Sequence, residues 1–253
     1  MSTDVLTQHS MQALQAKHYK RDRIFFGGIT LLMIAAVVLG SRQTWFALNA
    51  HASVFSNWGI QLRDIVFSLY LALFLAQVAL VSANRTWLHM RLGFWTFALA
   101  ILMFPLCIIA VAGEIRVALA VGPPYPYDID PLTFAIVSCM GTLLFGLLLA
   151  CSYAMRYQPN AHKRLALYAT LAMLNTAIDR WPWESWHLPY SYALWTYGAF
   201  LLLPVLYDVI FLERLQWATI SAAPFIWTLH RIAIPLGQTT PWHAITGLLL
   251  HHA

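Results

Sequence analysis

Apolar residues fill long stretches of this chain, and short polar stretches separate them. A helix needs about 20 apolar residues to cross the hydrocarbon core of a bilayer. The pattern therefore predicts an all-α integral membrane bundle of seven transmembrane helices. The apolar runs lie near residues 24–40, 60–82, 92–113, 131–155, 165–181, 190–212 and 218–236.

The seventh run is the least regular, because Pro224, His230 and Arg231 interrupt it. Six spans plus a re-entrant or interfacial segment is therefore the alternative architecture. Around the transmembrane bundle (24–236), the pattern predicts a cytoplasmic N-terminal segment (1–23) and an interfacial C-terminal tail (237–253). The first run has no A-x-A-like cleavage site behind it, so we interpret it as an uncleaved first helix and not as a signal peptide.

Basic residues set the predicted orientation, because cytoplasmic loops are enriched in lysine and arginine. With the N-terminus inside, ten basic residues fall on the cytoplasmic side and five on the other side. This bias predicts a multi-pass protein of the bacterial inner membrane with a cytoplasmic N-terminus. The cytoplasmic set is Lys17, Lys20, Arg21, Arg23, Arg85, Arg91, Arg156, Lys163, Arg164 and Arg214.

Composition agrees with a lipid environment and excludes other classes. Hydrophobic residues make up 60% of the chain and charged residues 10%, with a mean hydropathy of +0.64; soluble domains contain about 25% charged residues. The net charge of +5 does not indicate nucleic-acid binding, since the basic residues lie in gaps between apolar runs. The three cysteines have no CxxC spacing, so a disulfide framework or cysteine zinc site is not predicted.

A short motif, H-x-R-L, occurs before two of the predicted spans. It is "HMRLG" at 89–93 and "HKRLA" at 162–166. One interpretation is an orientation signal, because arginine at a cytoplasmic helix end is what topology requires. The other is a polar site, because His89 and His162 would stand at similar depth on the same side of the membrane.

Asp208 extends the second interpretation, since it lies about one turn inside the same face in "LYDVI". An ionisable group within a span is by default a functional candidate. His89, His162 and Asp208 are the metal-ligand set for a divalent ion, with an open coordination position. Alternatively the two histidines bind haem b, with Arg91 and Arg164 pairing with its propionates; a proton relay is the third option.

Other polar residues are weaker candidates. His51 precedes the second span, and Arg180 ends the fifth. Arg63 and Asp64 are adjacent in sequence, so on a helix they are not expected to face each other. Small residues favour close helix contacts in membranes, and we therefore expect Gly93, Gly141 and Gly146 to lie at helix interfaces.

The chain resembles a group of bacterial multi-span membrane proteins to which no activity has been assigned. The resemblance covers about 51–210 and rests on the histidine before the second span, "HMRLG", "HKRL", the arginine closing the fifth span and "YD" in the sixth. It implies that His51, Arg180 and Tyr207 join His89, Arg91, His162, Arg164 and Asp208 as candidate site residues. Met90 departs from the group, where a second basic residue is usual. A weaker likeness is to transmembrane cytochromes b, whose haems are held by histidines on neighbouring helices.

Three classes of function fit these features. A redox or metal-site protein explains the matched histidines and Asp208. An accessory subunit of a larger membrane complex, or a homo-oligomer, explains the lack of extramembrane domains and requires no site. A small-molecule or proton transporter explains Asp208 and the prolines at 105, 204 and 224, although the centres of the third and fourth spans are almost uniformly apolar.

Overall fold

Every regular element in the described part of the protein is helical. A computed structural model describes residues 3–45, 58–121, 129–189 and 191–252. A 3₁₀ turn spans Glu184–Trp186. The α-helices are α1 (Thr3–Trp45), α2 (Trp58–Ser82), α3 (Thr86–Val121), α4 (Pro131–Ala154), α5 (Pro159–Ile178), α6 (Ser191–Leu212), α7 (Trp217–Gly237) and α8 (Thr240–His252).

Each predicted apolar run overlaps one of the helices α1–α7, and the run 165–181 continues three residues past the end of α5. Five helical stretches are long and apolar enough to cross a membrane by length and composition: Tyr19–Ser41, Trp58–Ser82, Thr86–Ala120, Pro131–Ala154 and Ser191–Leu212. Large apolar side chains on their surfaces, such as Trp95, Ile101 and Leu202, remain exposed. The protein is therefore an all-α bundle with several apolar helices, as expected for a chain whose solvent is lipid.

Helix α5 is the centre of the bundle. It packs against α1, α4, α6 and α7, and every residue from 167 to 174 is buried. Eight consecutive buried residues cover more than two turns, so protein surrounds all faces of the helix. This position explains why α5 is less apolar than its neighbours: its polar groups meet protein partners and not lipid.

Short connections gather at one end of the bundle, which we call the basic end. They are residues 83–85, 155–158 and 213–216. Tyr19 on α1 donates a hydrogen bond to the Val81 carbonyl at 2.8 Å, and Arg21 donates to the Phe211 carbonyl at 3.1 Å. These contacts bring α1 to the same end as the last turns of α2 and α6.

Helix ends follow local sequence signals. Asp130 caps α4 by accepting a hydrogen bond from the Thr133 backbone at 2.9 Å, and Pro131 follows at the first helical position. Pro159 likewise occupies the first helical position of α5. The C-terminal tail also contains α8, whose Trp242 indole donates to the Leu132 carbonyl at 2.7 Å. Helix α1 begins at Thr3, so residues 3–23 and the first apolar run form one continuous helix.

The expected glycine contacts are confirmed. A Cβ on Gly141 would lie 3.2 Å from the Ala172 carbonyl of α5, and one on Gly93 would lie 3.6 Å from the Gln77 amide of α2. Gly146 faces the Phe104 ring of α3 so closely that a Cβ would overlap it. Each glycine therefore lies where a neighbouring helix approaches.

Candidate two-histidine site at the basic end

His89 and His162 come together at the basic end. Each lies in the first turn of its helix, α3 for His89 and α5 for His162. Their ring centroids are 6.2 Å apart, and the rings are nearly perpendicular at 86°. The two copies of the motif therefore supply a pair of adjacent imidazoles in a T-shaped, edge-on arrangement.

The His162 ring is held by Ser152 on α4. His162 Nδ1 lies 2.9 Å from the Ser152 carbonyl oxygen and 3.0 Å from its hydroxyl, while that hydroxyl donates to the His162 carbonyl at 2.9 Å. A carbonyl oxygen only accepts, so the contact assigns the proton to Nδ1. In the neutral ring the Nε2 lone pair is then available to a ligand.

The surroundings of His89 contain unsatisfied polar atoms. Its ring lies beside the Gln77 backbone carbonyl, and its Nδ1 atom is buried with no hydrogen-bond partner among the described residues. The Gln77 amide nitrogen donates to Thr96 at 3.3 Å, but its Oε1 atom is also buried without a partner in that part of the chain. Such groups are costly in an apolar interior unless a ligand or water satisfies them.

Asp208 belongs to a different cluster. Its carboxylate accepts from Arg164 Nε at 3.2 and 3.1 Å, from the Thr219 hydroxyl at 2.7 Å and from the Gln216 backbone at 3.3 Å. Arg164 Nη1 donates to the Asn160 carbonyl at 3.0 Å, and Nη2 donates to Asp208.

The predicted common site of His89, His162 and Asp208 thus divides in two. Residues 162 and 164 are two positions apart, so they point to opposite faces of α5. No group of three His, Cys, Asp or Glu side chains suited to a metal ion occurs in the described ranges.

Two further candidates have separate positions. The Arg91 guanidinium lies over the Trp87 ring, 3.9 Å from its centroid, and is exposed at the basic end. Tyr207 donates to Asp22 on α1 at 2.6 Å and stacks on Phe25. His51 lies outside the described residues.

The opposite end of the bundle holds a buried cluster of four charges: Arg63, Asp64, Glu114 and Arg180. Arg63 donates to Asp64 at 3.1 and 3.0 Å and to Glu114 at 2.9 Å. Arg180 donates to Asp64 at 2.9 Å and to Glu114 at 3.0 Å. The expectation that Arg63 and Asp64 do not face each other is wrong, because the long arginine side chain turns back to its neighbour.

Sequence reasoning did not identify Ser152 or Glu114 as partners. Ser152 lies ten positions from His162 and Glu114 lies 51 positions from Arg63. No motif connects residues across such separations. Gln77 on α2 hydrogen-bonds across to Thr96 on α3.

Comparison with known proteins adds no relative. No family model matches the chain, and neither a search of characterised proteins nor a search of solved structures finds a similar one. The resemblance to the bacterial multi-span group therefore stays a prediction, and function has to be argued from the site.

Proposed function

We propose that this protein is a membrane redox protein in which His89 and His162 would together hold a haem b, which would supply electron-transfer chemistry. The observation that carries the proposal is the separation of 6.2 Å between their ring centroids. A metal ion on the line between two imidazoles, with bonds of about 2 Å, needs centroids about 6 Å apart.

The number of donors favours haem over a bare ion. A zinc or iron site without porphyrin needs three or four protein ligands, whereas haem iron needs only axial ones. Two histidines meet at this site, and no third His, Cys, Asp or Glu joins them in a metal-binding group within the described ranges. A haem held by two histidines would supply one-electron transfer.

The hydrogen bonds around the rings support the same assignment. Histidines that ligate metals usually donate their other ring N–H to a carbonyl or carboxylate, which fixes the tautomer and the ring orientation. The Ser152 carbonyl fills this position for His162. Arg91 is the arginine of the two motifs that remains available for a propionate, because Arg164 is committed to Asp208.

Absorption spectroscopy of the detergent-purified protein tests the proposal. We expect a Soret band, a pyridine haemochrome assay giving one haem per chain, and loss of both in His89→Ala and in His162→Ala. His187→Asn is the matched control. His187 is exposed, and asparagine tolerates the positive φ of this position, so this variant should fold normally and keep the Soret band. Size-exclusion profiles identify variants that are still folded.

Two results would contradict haem binding. Elemental analysis that finds zinc or copper in equal amount to the protein, without a Soret band, would favour a bare metal ion. If the folded histidine variants bind as much haem or metal as the wild type, the H-x-R-L motif is only an orientation signal. The accessory-subunit interpretation would then be preferred.

The topology proposed with this function has seven spans and a cytoplasmic N-terminus in a bacterial inner membrane. Support comes from the basic end, where arginines lie over aromatic rings: Arg156 is 4.6 Å from the centroid of Tyr153, and Arg21 is 5.5 Å from that of Phe211. Positive charge on the cytoplasmic side and aromatics at the headgroup layer are the usual arrangement.

Cysteine labelling in intact cells tests this topology. In a background with its own cysteines replaced by serine, we expect Gln158→Cys to be protected from an impermeant maleimide added outside. The matched control, Ser185→Cys at the opposite end, should be labelled. The reverse pattern would invert the orientation.

A further inference from the structure

Two cysteines on neighbouring helices are in contact near the opposite end. Cys107 on α3 and Cys139 on α4 pack together in a small buried cluster with Val111, Ile115 and Ala135, and their side chains interact directly. Cys107 is 3% exposed, Cys139 is partly exposed, and both are free thiols. The pair is independent of the two-histidine site.

This thiol pair is connected to the four-charge cluster. Cys107 Sγ donates to the Ser138 carbonyl at 3.7 Å, and the Ser138 hydroxyl donates to Glu114 Oε2 at 3.4 Å. Glu114 in turn binds Arg63 and Arg180. A change at the sulfurs would therefore reach the charges that join α2, α3 and the end of α5.

We infer that Cys107 and Cys139 are a redox-active dithiol, oxidised to a disulfide between α3 and α4 by a lipid-soluble quinone. The two S–H bonds break and one S–S bond forms. The pair loses two electrons and two protons, which reduce the quinone to a quinol. No part of the quinone stays covalently attached to the protein.

The position of the pair selects this class of oxidant. Both sulfurs lie within helices that are apolar enough to cross the membrane, so an oxidant that dissolves in lipid is favoured over a water-soluble disulfide such as oxidised glutathione. A quinone dissolves in the hydrocarbon core and reaches the partly exposed Cys139 first. Cys107, buried behind it, completes the disulfide.

Thiol counting on the full-length protein in phosphatidylcholine nanodiscs tests the inference. The reduced protein is incubated with duroquinone, whose ring is fully substituted and cannot add a thiol. Excess quinone is removed, and the protein is unfolded in SDS and labelled with a polyethylene-glycol maleimide. We expect the number of labels to fall from three to one, since the chain has three cysteines and a Cys107–Cys139 disulfide would leave only the exposed Cys151 free to be labelled.

Single variants separate the pair from general oxidation. Cys107→Ser and Cys139→Ser should each keep both remaining labels, whereas Cys151→Ser should lose both of its labels. Copper phenanthroline is a second oxidant that reports whether the sulfurs can bond at all. If the disulfide forms with copper phenanthroline but not with duroquinone, the assignment of a quinone as the oxidant is wrong. If three labels remain after both treatments, Cys107 and Cys139 are not a redox pair.

Discussion

The guanidinium of Arg164 on α5 holds the carboxylate of Asp208 on α6, and each side chain is only 1% exposed. Thr219 at the start of α7 donates to the same carboxylate. One ion pair therefore joins three helices at the basic end. Burial of such a pair is tolerated because hydrogen bonds satisfy both charges, and an unpaired charge at this depth would be strongly unfavourable.

Asp208→Ala should destabilise the protein by about 3–5 kcal/mol, because it leaves the Arg164 charge buried without a partner. Thermal unfolding in detergent measures the loss. Lys163→Ala is the control, since its ion pair with Asp22 is partly exposed and such pairs contribute about 0–1 kcal/mol. The double variant Arg164→Met with Asp208→Leu should recover much of the stability. Equal losses in Asp208→Ala and Lys163→Ala would contradict this account.

Arg180→Ala should be among the more damaging arginine substitutions. Its side chain bridges Asp64 and Glu114, so its removal leaves two buried carboxylates sharing only Arg63. We expect a loss of about 3 kcal/mol or more in the free energy of unfolding. Arg116→Ala is the matched control, because Arg116 is exposed and donates a hydrogen bond to the Leu250 carbonyl and not to a buried carboxylate. A similar melting temperature for both variants would count against a stabilising cluster.

Hydrophobic runs predicted the helices of this protein because lipid imposes a simple rule on length and polarity. The same rule does not describe α5, because this helix contains Lys163 and Arg164 near its start and is surrounded by protein, not by lipid. Hydropathy measures what lipid would accept and carries no information on which helix is central. The bundle's centre was therefore not predictable from the runs.

The histidine pair was predictable, since two matched motifs entering from one side imply similar depth. The addition of Asp208 was not supported, and helix geometry explains why. His162 and Arg164 face opposite sides of α5, so the helix that meets one cannot meet the other. Partners far apart in sequence, such as Glu114 for Arg63, depend on helix packing that no local pattern records.

Gly40→Ala should separate two helices. A Cβ at Gly40 on α1 would overlap the carbonyl of Ala177 on α5, and backbone cannot rotate away as a side chain would. Overpacking of this kind costs about 1–3 kcal/mol. Gly28→Ala on the same helix meets nothing within 4 Å and should be neutral or slightly stabilising. Thermal unfolding of the two variants is measured in parallel. A wild-type melting temperature for Gly40→Ala would contradict the close approach of α1 and α5.

Ser152→Ala distinguishes the two groups that hold His162. The variant removes the hydroxyl, which donates to the His162 carbonyl, but retains the Ser152 backbone carbonyl that accepts from Nδ1. If the carbonyl fixes the ring, loss of one hydrogen bond should lower stability by about 1 kcal/mol, while haem content stays at the wild-type level. Haem per chain and the melting temperature are measured on the same preparation. A variant that is stable but has lost its haem would show that the hydroxyl, and not the carbonyl, orients the imidazole.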